Sequence, residues 1–328
     1  MNTRSFLRSA GLSIRHVSLV GDLFENGEGY DSYKLPKRRG GFRTIYVADA
    51  EVSSVLKLLL RALEVSGLYQ VPDCVHGYVK GRSIRSNASK HLDRDVVLSV
   101  DLEDFFPSIS LDKTCQSLVA HGAEDDLALA IARATAIEGH LAPGLSPSPW
   151  LSNLIFRDCD MRLMHLSDSL GVTYSRFADD LTFSGQFGDE VLDAVTEELG
   201  TLGWTLNNRK TRFMRRGGPQ YVTGLYVGRA DQPYIPRRFK RTLRMRLHYL
   251  AKYGYSDVES RGRGEEMFHS QAAGWIRHIW SLEPRAAKRF EALFEEVDFG
   301  TDYVLWSDPD AWTDLLAEVG LRDDPRLG

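Results

Sequence analysis

At 328 residues, with 43% hydrophobic and 26% charged side chains, the chain has the make-up of a globular protein of two or three lobes, which excludes disordered and collagen-like classes. A formal net charge of −4 argues against indiscriminate nucleic-acid binding, and no apolar run approaches the roughly 18 residues of a membrane span. A cytoplasmic protein with no membrane partner is expected.

The first thirty residues carry weak helical periodicity and end in G-D-L-F-E-N-G-E-G, which reads as a loop. A strand, a tight Gly40-Gly41 turn and a second strand follow, forming a basic hairpin with Lys34, Lys37, Arg38, Arg39 and Arg43. Asp49 is placed to cap a helix whose apolar face is Val52, Val55, Leu56, Leu59, Leu60 and Leu63. A Gly-punctuated loop over 76–91 passes into a short helix, and residues 94–100 read as a buried strand delivering Asp101. Two helices are predicted near 111–121 and 124–137, then a Pro/Gly/Ser turn and a long helix that stops near Gly171. V-T-Y-S-R-F-A-D-D-L-T-F-S reads as a hairpin tipped by Asp179-Asp180. A helix over 189–202, strands over 204–214 and 220–227, and a helical remainder from Pro236 complete an α+β order with an antiparallel sheet. Cys74, Cys115 and Cys159 show neither CxxC nor paired-His spacing, so they read as buried thiols of a reducing compartment.

Carboxylates converging from separate strand ends make the oxygen-rich, negative site that hard divalent cations require. Asp101, Asp179 and Asp180 are therefore the candidate metal ligands, suited to two Mg²⁺ that activate a hydroxyl nucleophile and stabilise a leaving pyrophosphate. Phe106 lies past the strand end, where its ring would exclude a ribose 2′-hydroxyl, whereas Phe105 reads as core. Lys37 and Arg43 supply cations for a triphosphate, and Gly144 allows backbone to approach a substrate closely with Ser148 capping the next helix. Lys210 is a candidate general acid toward pyrophosphate. Residues 205–264 hold fifteen Lys or Arg against three acids, interleaved with aromatics, while 281–328 hold twelve acids against five bases. The basic stretch reads as a surface tracking a nucleic-acid backbone, with Arg237, Arg238, Lys240, Arg241, Arg244 and Arg246 on an amphipathic helix.

The order of basic hairpin, D-L-E-D-F-F, P-G-L-S-P-S-P, F-A-D-D and R-K-T resembles the successive motifs of reverse transcriptases. More narrowly, Asn87-Ala88-Ser89-Lys90-His91 and Val222-Thr223-Gly224 are similar to the N-A-x-x-H and V-T-G elements of bacterial retron reverse transcriptases. The resemblance implies a right-hand polymerase: an N-terminal extension over 1–33, fingers over 34–100 with the strand leading into the palm, a palm over 101–230, and a helical thumb with an acidic end over 231–328. It implies metal binding by Asp101, Asp179 and Asp180, nucleotide contacts by Lys37, Arg43, Leu102, Phe106 and Gly144, a pyrophosphate role for Lys210, and RNA contacts by Asn87, His91 and the helix arginines. The expected substrates are dNTPs and the expected partner a structured non-coding RNA, primer and template at once, extended from an internal 2′-hydroxyl to give branched RNA-linked DNA. An effector protein and anti-phage defence belong to the same expectation. Pro143 stands where the family usually has Gln, and Phe177 where it has Tyr, removing one side-chain contact to the nucleotide and one hydroxyl near the primer end. About a hundred residues follow V-T-G, enough for a thumb but not for an intron-maturation or endonuclease domain. The residues leave open a defence-associated reverse transcriptase with another primer or untemplated synthesis, and an RNA-binding antitoxin with a decayed site; retention of all three acids counts against the latter.

Overall fold

The computed structural model describes residues 5–37, 41–253 and 269–297. Arg38, Arg39 and Gly40 of the basic hairpin and the acidic end beyond residue 297 lie outside them. The chain divides into two compact units, Met1–Ser83 with Asp95–Phe213, and Ile84–Arg94 with Met214–Gly328.

In the first unit, α1 (Ser5–Ser9) and α2 (Ile14–Glu25) precede a long antiparallel hairpin, β1 (Tyr30–Pro36) and β2 (Phe42–Ala48), paired from Tyr30 with Ala48 to Pro36 with Phe42. The stretch Gly21-Asp22-Leu23-Phe24-Glu25 is helix, not the expected loop. Gly21 is tolerated there because α2 packs against α6, where a Cβ would come to 2.8 Å from Cβ of Arg133. Helix α3 (Ala50–Val65) buries Val52, Leu56, Leu59, Ala62 and Leu63; Asp49 occupies its N-cap position without a side-chain capping bond. Strand β3 (Val96–Asp101) leads to α5 (Leu111–Ala120), α6 (Asp125–Thr135) and the two-residue pair β4 (Ala136–Ile137) and β5 (His140–Leu141). Pro147, not Ser148, is the N-cap of α7 (Ser148–Ser169), and the Ser148 hydroxyl instead donates to the Ala142 carbonyl at 2.6 Å.

Strands β6 (Thr173–Phe177) and β7 (Asp180–Gly185) form the central hairpin, followed by α8 (Glu190–Thr201) and β8 (Arg212–Arg215). The four-stranded sheet has the order β6-β7-β3-β8, with β7 antiparallel to both neighbours. Phe183 and Leu98 pair across β7 and β3 and are fully buried with Leu181, Val100 and Phe156, as the two-residue period predicts for one face of a sheet covered by helices.

In the second unit, α4 (Ile84–Ala88) and a 3₁₀ turn over Ser89–His91 pack on the small hairpin β9 (Tyr221–Val222) and β10 (Leu225–Tyr226). Within the V-T-G element Val222 ends β9 and Thr223-Gly224 form the turn of that hairpin rather than part of a strand, with φ +47° at Thr223 and +78° at Gly224, the two positive values that a tight two-residue turn demands. The Thr223 hydroxyl donates to the Ile84 carbonyl at 3.2 Å, which ties that turn to the start of the helix on which Asn87 and Ala88 lie. Helices α9 (Arg237–Tyr253), α10 (His269–Leu282) and α11 (Pro284–Glu295) pack through Leu243, Leu247, Leu250, Ile279 and Phe290.

Candidate active site

The register of the sheet brings the acids together. Asp101, last residue of β3, pairs directly with Asp180, first residue of β7, and Asp180 is flanked on its other side by Phe177 of β6. Directly opposed residues of antiparallel strands share a face, so Asp101 and Asp180 present their carboxylates to the same side. Asp179 sits in the two-residue turn with Ala178, whose φ of +57° is unusual for a side chain with a Cβ. The Leu102 amide donates to the Asp179 carbonyl at 3.1 Å and ties the turn to the end of β3.

Lys210 reaches the same place by a loop zipped along β3. Leu102 bridges to Leu206, the Glu103 amide donates to the Thr205 carbonyl at 2.9 Å, and the Asn207 amide donates to the Asp101 carbonyl at 2.8 Å. The Lys210 ammonium then lies 3.0 and 2.9 Å from the two Asp101 oxygens. The predicted strand over 204–214 contracts to Arg212–Arg215, because residues 205–210 serve this anchoring.

Burial, and secondarily the Asp179 charge, push Asp101 up to about 6 from an ordinary 3.8, against the pull of Lys210 and of a hydrogen bond with Asp180. A raised carboxyl favours the folded state fully below its unfolded pKa, and that contribution is lost as pH rises through the folded value. Asp101→Asn is therefore expected to melt higher than the parent at pH 7 without divalent cations, by on the order of 1–3 kcal/mol, with the difference vanishing between about pH 6 and pH 4. Thermal melts across that range check it; a lower melting temperature for the variant at pH 7 would contradict the reading.

Among the described residues no three His, Cys, Asp or Glu side chains close into a group able to hold a metal ion by themselves. The donor set nevertheless fits a hard divalent cation such as Mg²⁺ in kind: carboxylate oxygens lie at adjoining strand ends, where burial and then the Asp179 charge lift Asp101. Mg²⁺ is ordinarily held by one or two carboxylates plus substrate phosphates, not by an all-protein cage.

Of the other candidate residues, Phe106 is half-buried and meets Phe105 edge-on at 5.6 Å, while Phe105 is buried against Phe156 and Trp204. Lys37 and Arg43 are exposed on the hairpin, and the Lys37 ammonium lies 3.7 Å from Asp104 in the loop after β3. Leu102 does not offer its side chain to a nucleotide, since it is buried in the core and acts through its amide. Gly144, at φ +105°, does make a close approach, but to β2: an added Cβ would overlap the Tyr46 carbonyl oxygen.

The expected RNA contacts divide in two. Asn87 and His91 are fully buried in the second unit and cannot face RNA as the side chains stand. Lys240 is likewise committed inward, its ammonium 2.8 and 2.6 Å from the Glu283 oxygens, and Glu283 also accepts the Ile235 amide. Arg237, Arg238, Arg241 and Arg244 are exposed on α9 opposite Leu243, Leu247 and Leu250; the first three border an open depression of roughly 470 Å³ with Thr242 and Met245. Arg246 lies over the Trp275 ring and Arg244 over that of Phe290. Sequence reasoning missed Asn153 and Asp160 on α7 and the partner they share, Arg176; two polar residues seven apart within a helix's buried face were the available signal.

No helix among the described residues is long and apolar enough to cross a membrane. Residues 35–250 match the family model described as reverse transcriptase (RNA-dependent DNA polymerase). The chain is 32% identical to the retron Mx65 reverse transcriptase of Myxococcus xanthus over 84% of its length, and 32% identical to the retron Mx162 enzyme of the same organism over 82%. It spans 66% and 61% of those two relatives, and 79% of the retron Ec86 reverse transcriptase of Escherichia coli, to which it is 28% identical. A solved telomerase from Candida albicans aligns over 88% of this chain and 59% of its own, at 11% identity and a TM-score of 0.47. With the family match over most of its length and an antiparallel central sheet, the chain belongs to the reverse transcriptase family, among its bacterial retron members, and has their α+β, right-hand polymerase fold.

Proposed function

We propose that this chain is an RNA-templated DNA polymerase that extends a structured non-coding RNA from an internal 2′-hydroxyl, yielding branched RNA-linked DNA, and that it serves anti-phage defence with an effector protein. The observation that carries the polymerase reading is the in-register pairing of Asp101 with Asp180, with Asp179 in the adjoining turn and Lys210 on Asp101. Asp101, Asp179 and Asp180 would hold two Mg²⁺, which when bound supply charge stabilisation to the phosphoryl group in transfer. The primer hydroxyl attacks the α-phosphorus of a dNTP, the new O–P bond forms, and the α–β bridging bond breaks to release pyrophosphate. Lys210 brings an ammonium proton to the strand ends for the departing pyrophosphate. Lys37 and Arg43 neutralise the triphosphate from the hairpin, and the Gly144 loop fixes β2, which carries Arg43. Phe106, backed by Phe105, forms the wall beneath the sugar. Phe106→Ala should raise ribonucleotide use relative to deoxynucleotide use in competition assays, and an unchanged ratio would return Phe106 to a packing role.

The exposed face of α9 is assigned to RNA phosphates. Neutralising Arg237, Arg238 and Arg241 together should weaken RNA binding and flatten its log–log salt dependence by roughly 0.7 to 0.9 for each phosphate no longer neutralised. Lys240→Met serves as contrast, since its loss strands Glu283 and should lower stability instead. Equal affinity and slope for the triple variant would leave α9 a solvated face.

The decisive experiment purifies the protein from its host, sequences the bound nucleic acid, and adds labelled dNTPs. Label joined to RNA through a linkage that a 2′–5′ debranching enzyme cleaves is the expected result. DNA with no attached RNA would overturn the branched-product reading, and absence of incorporation would overturn the polymerase reading. A protein co-purifying with the complex is expected for the effector.

A further inference from the structure

Beneath the turn that carries Asp179 and Asp180 lies a fully buried arginine, Arg176. Its Nε and Nη2 donate to Oδ1 and Oδ2 of Asp160 at 2.8 and 2.6 Å, a two-pronged ion pair in which both side chains are inaccessible to solvent. Its Nη1 donates twice, to Asn153 Oδ1 and to the Ala178 carbonyl, each at 3.0 Å. The guanidinium also lies over the Phe156 ring, 4.8 Å from its centre. Taking both charges out of water costs several kcal/mol, and such pairs are often replaceable by apolar residues without loss of stability, so stability alone is a weak reason for this arrangement.

What the network does touch is the strained residue directly before Asp179. Ala178 at φ +57° lies in the left-handed region that crowds a Cβ, and it persists only where its surroundings over-determine it. Here they do so from two sides. Arg176 holds the Ala178 carbonyl, which belongs to the same peptide plane as the Asp179 amide. On the other side Gly77 approaches so closely that a Cβ would overlap the Ala178 nitrogen. Asn153 links the two sides, accepting from Arg176 and donating through Nδ2 to the Gly77 carbonyl at 3.0 Å. Residues 74–76 run along β6, the Arg176 amide donating to the Cys74 carbonyl and the His76 amide to the Arg176 carbonyl, both at 2.7 Å. Asn153 and Asp160, two helical turns apart on α7, face the network together.

We propose that Arg176 is a positioning residue, which with Asp160 and Asn153 clamps the Ala178 carbonyl and thereby sets the direction in which Asp179 and Asp180 leave the turn. The proposal rests on the assignment of those two acids as catalytic. The clamp works through a backbone carbonyl, so its loss degrades the chemical step and leaves nucleotide and RNA binding intact.

The test pairs Arg176→Met with Asp160→Leu in a Tyr174→Phe background, which removes both buried charges together with the hydroxyl that donates to Asp160 at 2.8 Å and so avoids an orphaned charge or hydroxyl. The expected double variant melts cooperatively near the parent, binds RNA and dNTP within about twofold, and loses roughly ten- to a hundredfold in kcat, the scale of an ångström-level misplacement. Deuterium uptake of the segment 176–182, measured without substrate, should quicken by about tenfold or more while that of 96–101 stays parental, an amide protection loss confined to the turn. A cooperatively folded double variant with parental kcat and parental uptake would overturn the clamp. Should the double variant not fold, Asn153→Ala, which spares the ion pair but cuts the link to Gly77, is read by the same two measurements, and parental values there overturn it equally. A parent that makes no DNA would overturn the polymerase assignment instead, and the uptake of 176–182 would still decide the clamp.

Discussion

Asp179→Asn combined with Asp180→Asn is expected to reduce DNA synthesis by ~10³-fold or more in a chain that still folds and still binds RNA. The two side chains are half-exposed, and asparagine keeps their shape, so no cavity opens. Removing the Asp179 charge relieves the lesser part of the push on Asp101, whereas removing Asp180 gives up a hydrogen bond that pulls it down, so the double variant should melt near the parental temperature. Loss of synthesis with retained stability separates a functional role from a structural one. Near-parental incorporation by a folded double variant would remove these residues from the chemistry.

Gly144→Ala should produce a large loss of stability for the addition of one methyl group. At φ +105° an L side chain is strained whatever the space around it, and here the Cβ would meet the Tyr46 carbonyl and lie 2.8 Å from Cγ2 of Ile45. A backbone oxygen cannot swing aside, so either the loop or β2 must shift, which breaks the bond from the Tyr46 amide to the Pro143 carbonyl at 3.0 Å. About 2–4 kcal/mol is expected, together with reduced incorporation because β2 carries Arg43. Gly41→Ala is the control, since Gly41 has φ +82° and no atom of the described residues near its Cβ, and should cost only the dihedral strain of about 1–2 kcal/mol. Equal losses in the two variants, measured by chemical denaturation, would mean that Gly144 is kept for its dihedral alone.

Asp101, Asp179 and Asp180 were legible because strand-end acids follow alternating apolar residues, and register then does the rest: the period of two brings Asp101 opposite Asp180. Legibility ended where a residue's partner lies far along the chain. Asn87, His91 and Lys240 look like polar surface residues until their burial is known, and Lys240 is indistinguishable from its arginine neighbours without Glu283. Gly21 and Gly144 read as loop punctuation or substrate clearance, whereas each marks a close passage of another element. Arg176 lay in plain view inside the motif, but its meaning depends on α7 residues whose spacing alone gives no chemistry.

The second unit draws its parts from two places in the chain: residues 84–94 belong with those after 213, and about 120 residues of the first unit intervene. On the ribosome, at roughly 5–20 residues per second, Asn87 and His91 would stay hydrated for some 6 to 24 s before the β9–β10 hairpin that packs on α4 has been made. During that interval the first unit has every residue of its sheet up to β7 and can begin to fold around an eleven-residue excursion that has no partner yet. Slower translation after Phe213 would prolong this waiting state, and the cell's chaperones and proteases would meet the chain there first.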